Sequence, residues 1–186
     1  FFLLVACCAW LASAAGCGRI EQPRDTLVDA RGGDSDQLDP IHTDIGESVK
    51  AIVNIFDTLI TYDDHTSDRI PGLPTSWETS DDGLRWTFHL REGVRFHDGT
   101  PFDADAVVFN FERLIQDDHP DVHSSMIPYR PDYQDIVAVR ALDRHTVEFE
   151  LARPSAVFEA NLAMFPASIV SPTAVRQQGK RFGTHP

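Results

Sequence analysis

The stretch Trp77–Leu114, WETSDDGLRWTFHLREGVRFHDGTPFDADAVVFNFERL, sets two Trp and five Phe among closely spaced charges, and it carries two different hydrophobic periods. Leu84, Trp86, Phe88 and Leu90 point one way while Arg85, Thr87, His89 and Arg91 point the other, the period of a strand with one apolar face. Asp82-Gly83 ahead of it predicts a hairpin turn, because glycine supplies the positive φ that tight turns need. Val94 and Phe96 make a second short alternation, closed by Asp98-Gly99-Thr100-Pro101. Asp103 then stands where a helix N-cap belongs, and Ala104, Val107, Val108, Phe111, Leu114 and Ile115 fall on one helical face, with Glu112 and Arg113 outside. The aromatics are therefore read as a core, formed where a sheet face meets a helix face.

Upstream, LDPIHTDIGESVKAIVNIFDTLITYD places Val49, Ile52, Val53 and Phe56 at the spacing of one buried helix face, with Leu59, Ile60 and Tyr62 as a strand. Thr26–Ala30 reads as a first strand, and IPGLPTSW as Pro/Gly punctuation that no helix continues through. Downstream, residues 117–132 form a long loop with three Pro. Val137, Val139 and Ala141, then Val147, Phe149 and Leu151, alternate around Asp143-Arg144-His145 as a second hairpin. Pro154 to Met164 is read as a helix, Ile169-Val170 as a strand, and Pro172 to Gly179 as a helix opened by Pro and stopped by Gly. Mixed helices and hairpins predict a mixed α/β (α+β) architecture, not a doubly wound parallel sheet.

Hydrophobic residues make up 42% of the chain and charged ones 24%, which is the composition of a folded protein. The 16 basic against 29 acidic residues give a formal charge of −13, which repels phosphate backbones and argues against nucleic-acid binding. The chain opens on an apolar run, FFLLVACCAWLASAAG, that is too short for a membrane span but fits the h-region of a secretory signal. Its end, Ala14-Ala15-Gly16-Cys17, resembles a bacterial lipobox, so Cys17 is the expected lipidation site, with Cys7 as the alternative. The first residue is Phe1, so this signal is read as missing its own beginning. Residues 18–25 are read as a tether. Cys7, Cys8 and Cys17 all lie in this leader, which leaves no cysteine downstream for a disulfide, a thiolate metal site or a nucleophile.

His119 and His123 with Asp117, Asp118 and Asp121 are the densest set of possible metal ligands, but Pro120 breaks the helix that would align the two His, and a solvated acidic loop is the expected reading. The pairs Asp81-Asp82 and Asp117-Asp118 lack the apolar surroundings that raise one carboxyl for acid–base work. No P-loop, G-x-G-x-x-G or G-x-S-x-G occurs. Neither catalysis nor a cofactor is expected, and a secreted hydrolase reading has no motif behind it.

The segment SWETSDDGLRWTFHLREGVRFHDGTPFDADAVVFNFER resembles the most characteristic stretch of the bacterial extracellular solute-binding proteins of family 5, the receptors of peptide and nickel ABC importers. LDPIHTDIGESVKAIVNIFDTLITYD is similar to that family's Leu-Asp-Pro segment, and PGLPTSW to its approach to the Trp. The resemblance implies a periplasmic-binding-protein-like fold of type II, with two lobes closing on a ligand and an extra subdomain in lobe one. On that basis residues 26–57 start lobe one, 58–168 make the extra subdomain, and 169–186 return to lobe one, the chain being an incomplete N-terminal part. The implied function is extracytoplasmic capture of peptides or a similar small solute for ABC permease subunits, with the membrane reached through a lipid anchor. Alternatives are a sensory or regulatory relative and a nickel or metal-chelate receptor. In peptide-binding relatives the residues after Leu-Asp-Pro run beside the ligand backbone, and carry-over places this role on Asp44, Ile45 and Gly46.

Overall fold

The computed structural model describes residues 32–124 and 126–184. The expected signal, lipidation cysteines, tether and strand at 26–30 lie outside them. The Trp77–Leu114 stretch folds as its two periods require. β3 (Pro74–Thr79) and β4 (Arg85–Leu90) form a hairpin whose turn carries Gly83 at φ +70°. Trp86, Phe88 and Leu90 are buried. Beside β4 lies β6 (Thr146–Leu151), and beside that β5 (Ile136–Asp143), giving an antiparallel sheet of order β3-β4-β6-β5. A separate antiparallel pair is made by β1 (Ile60–Tyr62) and β2 (Arg69–Pro71).

Helix α2 (Ala104–Ile115) covers the buried sheet face, after α1 (Gly46–Ile55). Its start is capped by the Asp103 carboxylate, which accepts from Ala106 N. Phe111 meets Phe149 of β6 edge-on at 4.7 Å between ring centroids, and Phe149 meets Phe88 of β4 at 5.5 Å. Such edge-to-face pairs add about 0.5–1.5 kcal/mol each to the burial of the rings. The chain then passes through α3 (Phe158–Leu162), whose Phe158 packs on Trp86 at 5.2 Å, to α4 (Pro172–Gln178). Ser171 caps α4 by accepting from Ala174 N, and Gly179 at φ +54° ends it.

The structure departs from the sequence reading at identifiable points. IPGLPTSW is not simple punctuation: it ends β2, turns at Gly72-Leu73 and begins β3, with Pro74 at the first residue of an edge strand. A Cβ on Gly72 would come within 2.4 Å of the Thr58 carbonyl oxygen, so only glycine fits this crossing. In β5 a register shift between Ile136 and Ala138 turns Val137 outward, 59% exposed, and puts Ile136 inside with Val139. Val94 and Phe96 form no strand; Arg95 bridges Pro101 across a loop closed by Gly99. Ile169 and Val170 are buried but belong to no strand, and the expected helix over 154–164 is only Phe158–Leu162. Val53 is 57% exposed while Ile52 is fully buried, so α1 buries a narrower face than its periodicity suggests.

Arg113, expected outside, is 1% exposed. α2 is buried on two sides. Phe111 and Leu114 face the main core, while Phe109 joins a second cluster with Val170, Val175 and Phe182, against which Phe56 packs. Residues before 58 and after 168 meet there and through two backbone hydrogen bonds, Ile169 N to Asp57 O at 2.9 Å and Leu38 N to Gly183 O at 2.8 Å. Asn110 joins α2 to the segment after 168: its amide donates to the Ala106 and Val170 carbonyls at 2.8 Å each and accepts from Val170 N at 3.1 Å.

Candidate functional site

The segment that approaches α1 is held by partly buried polar contacts. The Asp36 carboxylate accepts from Ser48 Oγ at 2.5 Å and from Thr43 Oγ1 at 3.0 Å. These bonds, that of Ser48 foremost, hold the Asp36 carboxyl below the ordinary carboxylate range although burial opposes the shift. Gln37 Oε1 accepts from Leu38 N and Asp39 N, both at 3.1 Å. Pro40 opens a 3-10 turn, Pro40–His42, in which all three residues are buried.

Asp39, just before that turn, meets Arg113 of α2 at 2.5 Å, with side chains only 6% and 2% exposed. Arg113 Nε donates to the Asp121 carbonyl at 3.3 Å, and His42 Nδ1 lies 3.0 Å from the Met126 carbonyl. A carbonyl only accepts, so Nδ1 carries the proton. The approach segment, α2, Asp121 and Met126 are thus tied together immediately ahead of Asp44.

Asp44, Ile45 and Gly46 are exposed, between buried Thr43 and buried Ser48. Thr43 and Ile45 are extended, with φ/ψ of −128°/151° and −81°/122°. Ile45 N–H donates to Thr43 Oγ1 at 3.1 Å, and Ile45 C=O accepts from Val49 N at 3.0 Å. The Ile45 backbone is therefore already satisfied within the chain. Among the described residues, no partner engages the Asp44 backbone, and Gly46 N–H, at the first position of α1, has no intrahelical acceptor. The three residues form a firmly anchored, solvent-facing ledge with donors and an acceptor at Asp44 and Gly46 and an apolar side chain at Ile45.

The segment's place in a known architecture follows from comparison with other proteins. Residues 68–186 match the family model described as bacterial extracellular solute-binding proteins, family 5 Middle. The chain belongs to this family. It is 36% identical over 176 residues to di/tripeptide-binding protein 3 of Pseudomonas aeruginosa, covering 88% of this chain and 33% of that protein. Among solved structures, it is similar to the periplasmic binding protein DppA of Helicobacter pylori in complex with the peptide STSA, with a TM-score of 0.74 and 33% identity over 83% of this chain and 33% of that one. It is also similar to a dipeptide-binding protein of Pseudoalteromonas in complex with Met-Leu, with a TM-score of 0.71 and 30% identity over 78% of this chain and 31% of that one. The fold is the mixed α/β fold of type II periplasmic binding proteins, and the chain spans about a third of the length of these relatives.

The other candidates from the sequence are dispersed. His119 packs edge-on against Phe109 at 5.5 Å and its Nδ1 accepts from Asp121 N, while burial lowers its pKa from the usual imidazole value. Asp121 pairs with Arg176 at 3.3 Å and Asp117 with Arg130 at 2.6 Å. Among the described residues, no group of three or more His, Cys, Asp or Glu is placed to hold a metal. Asp82 serves the β3–β4 turn by accepting from Ser80 Oγ and Leu84 N. Sequence reasoning missed the cluster of Asp39, His42 and Arg113. The signal for it was available: Phe109 and Ala106 lie off the apolar face assigned to α2, and a helix apolar on two sides encloses a charge lying between them.

Proposed function

We propose that this chain is the N-terminal part of the substrate-binding component of an ABC importer, capturing di- or oligopeptides outside the cytoplasm and handing them to membrane permease subunits. The observation that carries the reading is the 36% identity, over nearly the whole chain, to a protein named for binding di- and tripeptides. In this reading residues 26–57 open lobe one, 58–168 form its extra subdomain and 169–186 return to it. The joint packing of Phe56, Val170, Val175 and Phe182 supports the return to the first lobe.

Asp44 and Gly46 run beside the peptide backbone and supply sequence-tolerant hydrogen bonds, the mode in which an extended ligand pairs with exposed main chain. Ile45, its own backbone occupied, contributes its side chain. The carry-over from relatives is thus narrowed to two backbone contacts and one apolar contact. No residue in the reading performs chemistry; closure of two lobes on the ligand would couple capture to permease docking. Cys17, or alternatively Cys7, carries the lipid that holds the protein at the membrane, and Cys17→Ser should release it into the soluble fraction. Retention of the lipid adduct in that variant would assign the anchor to Cys7.

Mass spectrometry of solutes that co-purify with the protein at its full natural length tests the reading. Short peptides are expected. Consistent recovery of a sugar would overturn the peptide assignment, and recovery of a metal chelate would move it to the nickel branch of the family.

A further inference from the structure

Two polar atoms beside the Asp39–Arg113 pair are buried and unpartnered: Asp39 Oδ1 and His42 Nε2. Both side chains are 6% exposed. An orphaned buried polar atom costs about 1–3 kcal/mol relative to one that is hydrogen-bonded, so two of them side by side call for a partner. Asp39 and His42 both border a cavity of about 110 Å³, whose other walls include Gln37, His123, Ser124 and Lys180.

The chemistry of the partner follows from the protonation pattern. His42 Nδ1–H is committed to the Met126 carbonyl, so the neutral ring presents a lone pair at Nε2. Asp39 Oδ1 is a carboxylate oxygen. Both orphans are acceptors, and they need a donor with two protons. The negative charge of Asp39 is already met by Arg113 through Oδ2, so the cluster is neutral and has no electrostatic demand for a second cation. A cavity of this size exceeds the roughly 10–15 Å³ that one water requires.

We propose that this cavity is the binding site of an ordered water molecule that donates one proton to Asp39 Oδ1 and the other to His42 Nε2. The water joins the Arg113–Asp39 pair to the His42–Met126 link and makes one continuous network from α2 through the approach segment to Met126. The inference does not depend on which solute the protein carries.

A crystal structure of the full-length protein, at a resolution that shows ordered solvent, is the direct test. Solvent density within hydrogen-bond reach of both Asp39 Oδ1 and His42 Nε2 is expected. Density for a coordinated metal ion, the Lys180 ammonium on Asp39, or a dry cavity would each overturn the proposal. Nitrogen NMR of the His42 ring gives an independent reading in solution: the Nδ1–H tautomer with a hydrogen-bonded Nε2 is expected at neutral pH, and an Nε2–H tautomer would contradict it.

Discussion

Arg113→Met removes the guanidinium from the buried pair with little change in side-chain volume. The Asp39 carboxyl, 6% exposed, is then left without the cation that now lies at 2.5 Å. Loss of one member of a buried ion pair typically costs about 3–5 kcal/mol, because the remaining charge stays desolvated. Arg113 also donates to the Asp121 carbonyl at 3.3 Å and lies 5.8 Å from the centre of the Phe109 ring, contacts that add smaller losses. We therefore expect Arg113→Met to lower unfolding stability by about 3–5 kcal/mol. The double variant Asp39→Leu with Arg113→Met, which leaves no orphaned charge, should lie closer to the parent than the sum of the single changes, with a coupling of about 1–3 kcal/mol. Urea unfolding of the full-length protein measures both, provided fluorescence and circular dichroism report one coincident transition. A single variant within about 0.5 kcal/mol of the parent, the range of ordinary surface changes, would refute the buried pair as the brace beneath the Asp44–Gly46 ledge.

Two further changes probe the same framework. Asp36 is held below the usual carboxylate range chiefly by Ser48, and Asp98 is held low by Ser171 and Thr100, whose hydrogen bonds outweigh the effect of burial. Carboxyls depressed in the folded state add stability above their unfolded value of about 3.9, and that stability is lost as pH falls through the lower folded value. Stability should therefore decline below about pH 4, and Ser48→Ala should reduce the part due to Asp36, to which Thr43 still donates; an acid limb of unchanged slope in this variant would contradict the assignment. Asn110→Leu strands the Val170 N–H and C=O, which the amide now bonds at 3.1 and 2.8 Å, and should cost about 1–3 kcal/mol per stranded group in thermal unfolding. A neutral effect would show that Asn110 does not join α2 to the return segment.

The strand and helix of the opening stretch were legible because their periods are strong and each has one clear apolar face: Trp86, Phe88 and Leu90, then Val107, Phe111 and Leu114, are all buried as their spacing requires. The outward turn of Val137 in β5 was not legible, since a register shift at Ile136/Ala138 is set by pairing with β6 and leaves no mark in an alternating sequence. Arg113 was misplaced because a single-face reading of α2 ignored Phe109, whose partners Val175 and Phe182 arrive more than 60 residues later. The candidate ledge was located only through resemblance to a family. Nothing in Asp44-Ile45-Gly46 announces binding, because main-chain contacts need no particular side chain. What the structure adds is which of their backbone groups are already taken.

Calorimetric titration of the full-length protein, stripped of bound solute by unfolding and refolding, tests the central claim most directly. Di- and tripeptides are predicted to bind saturably, with simple sugars and nickel chelates giving no heat of binding under the same conditions. Saturable binding of a sugar or a chelate with none by any peptide would contradict the account.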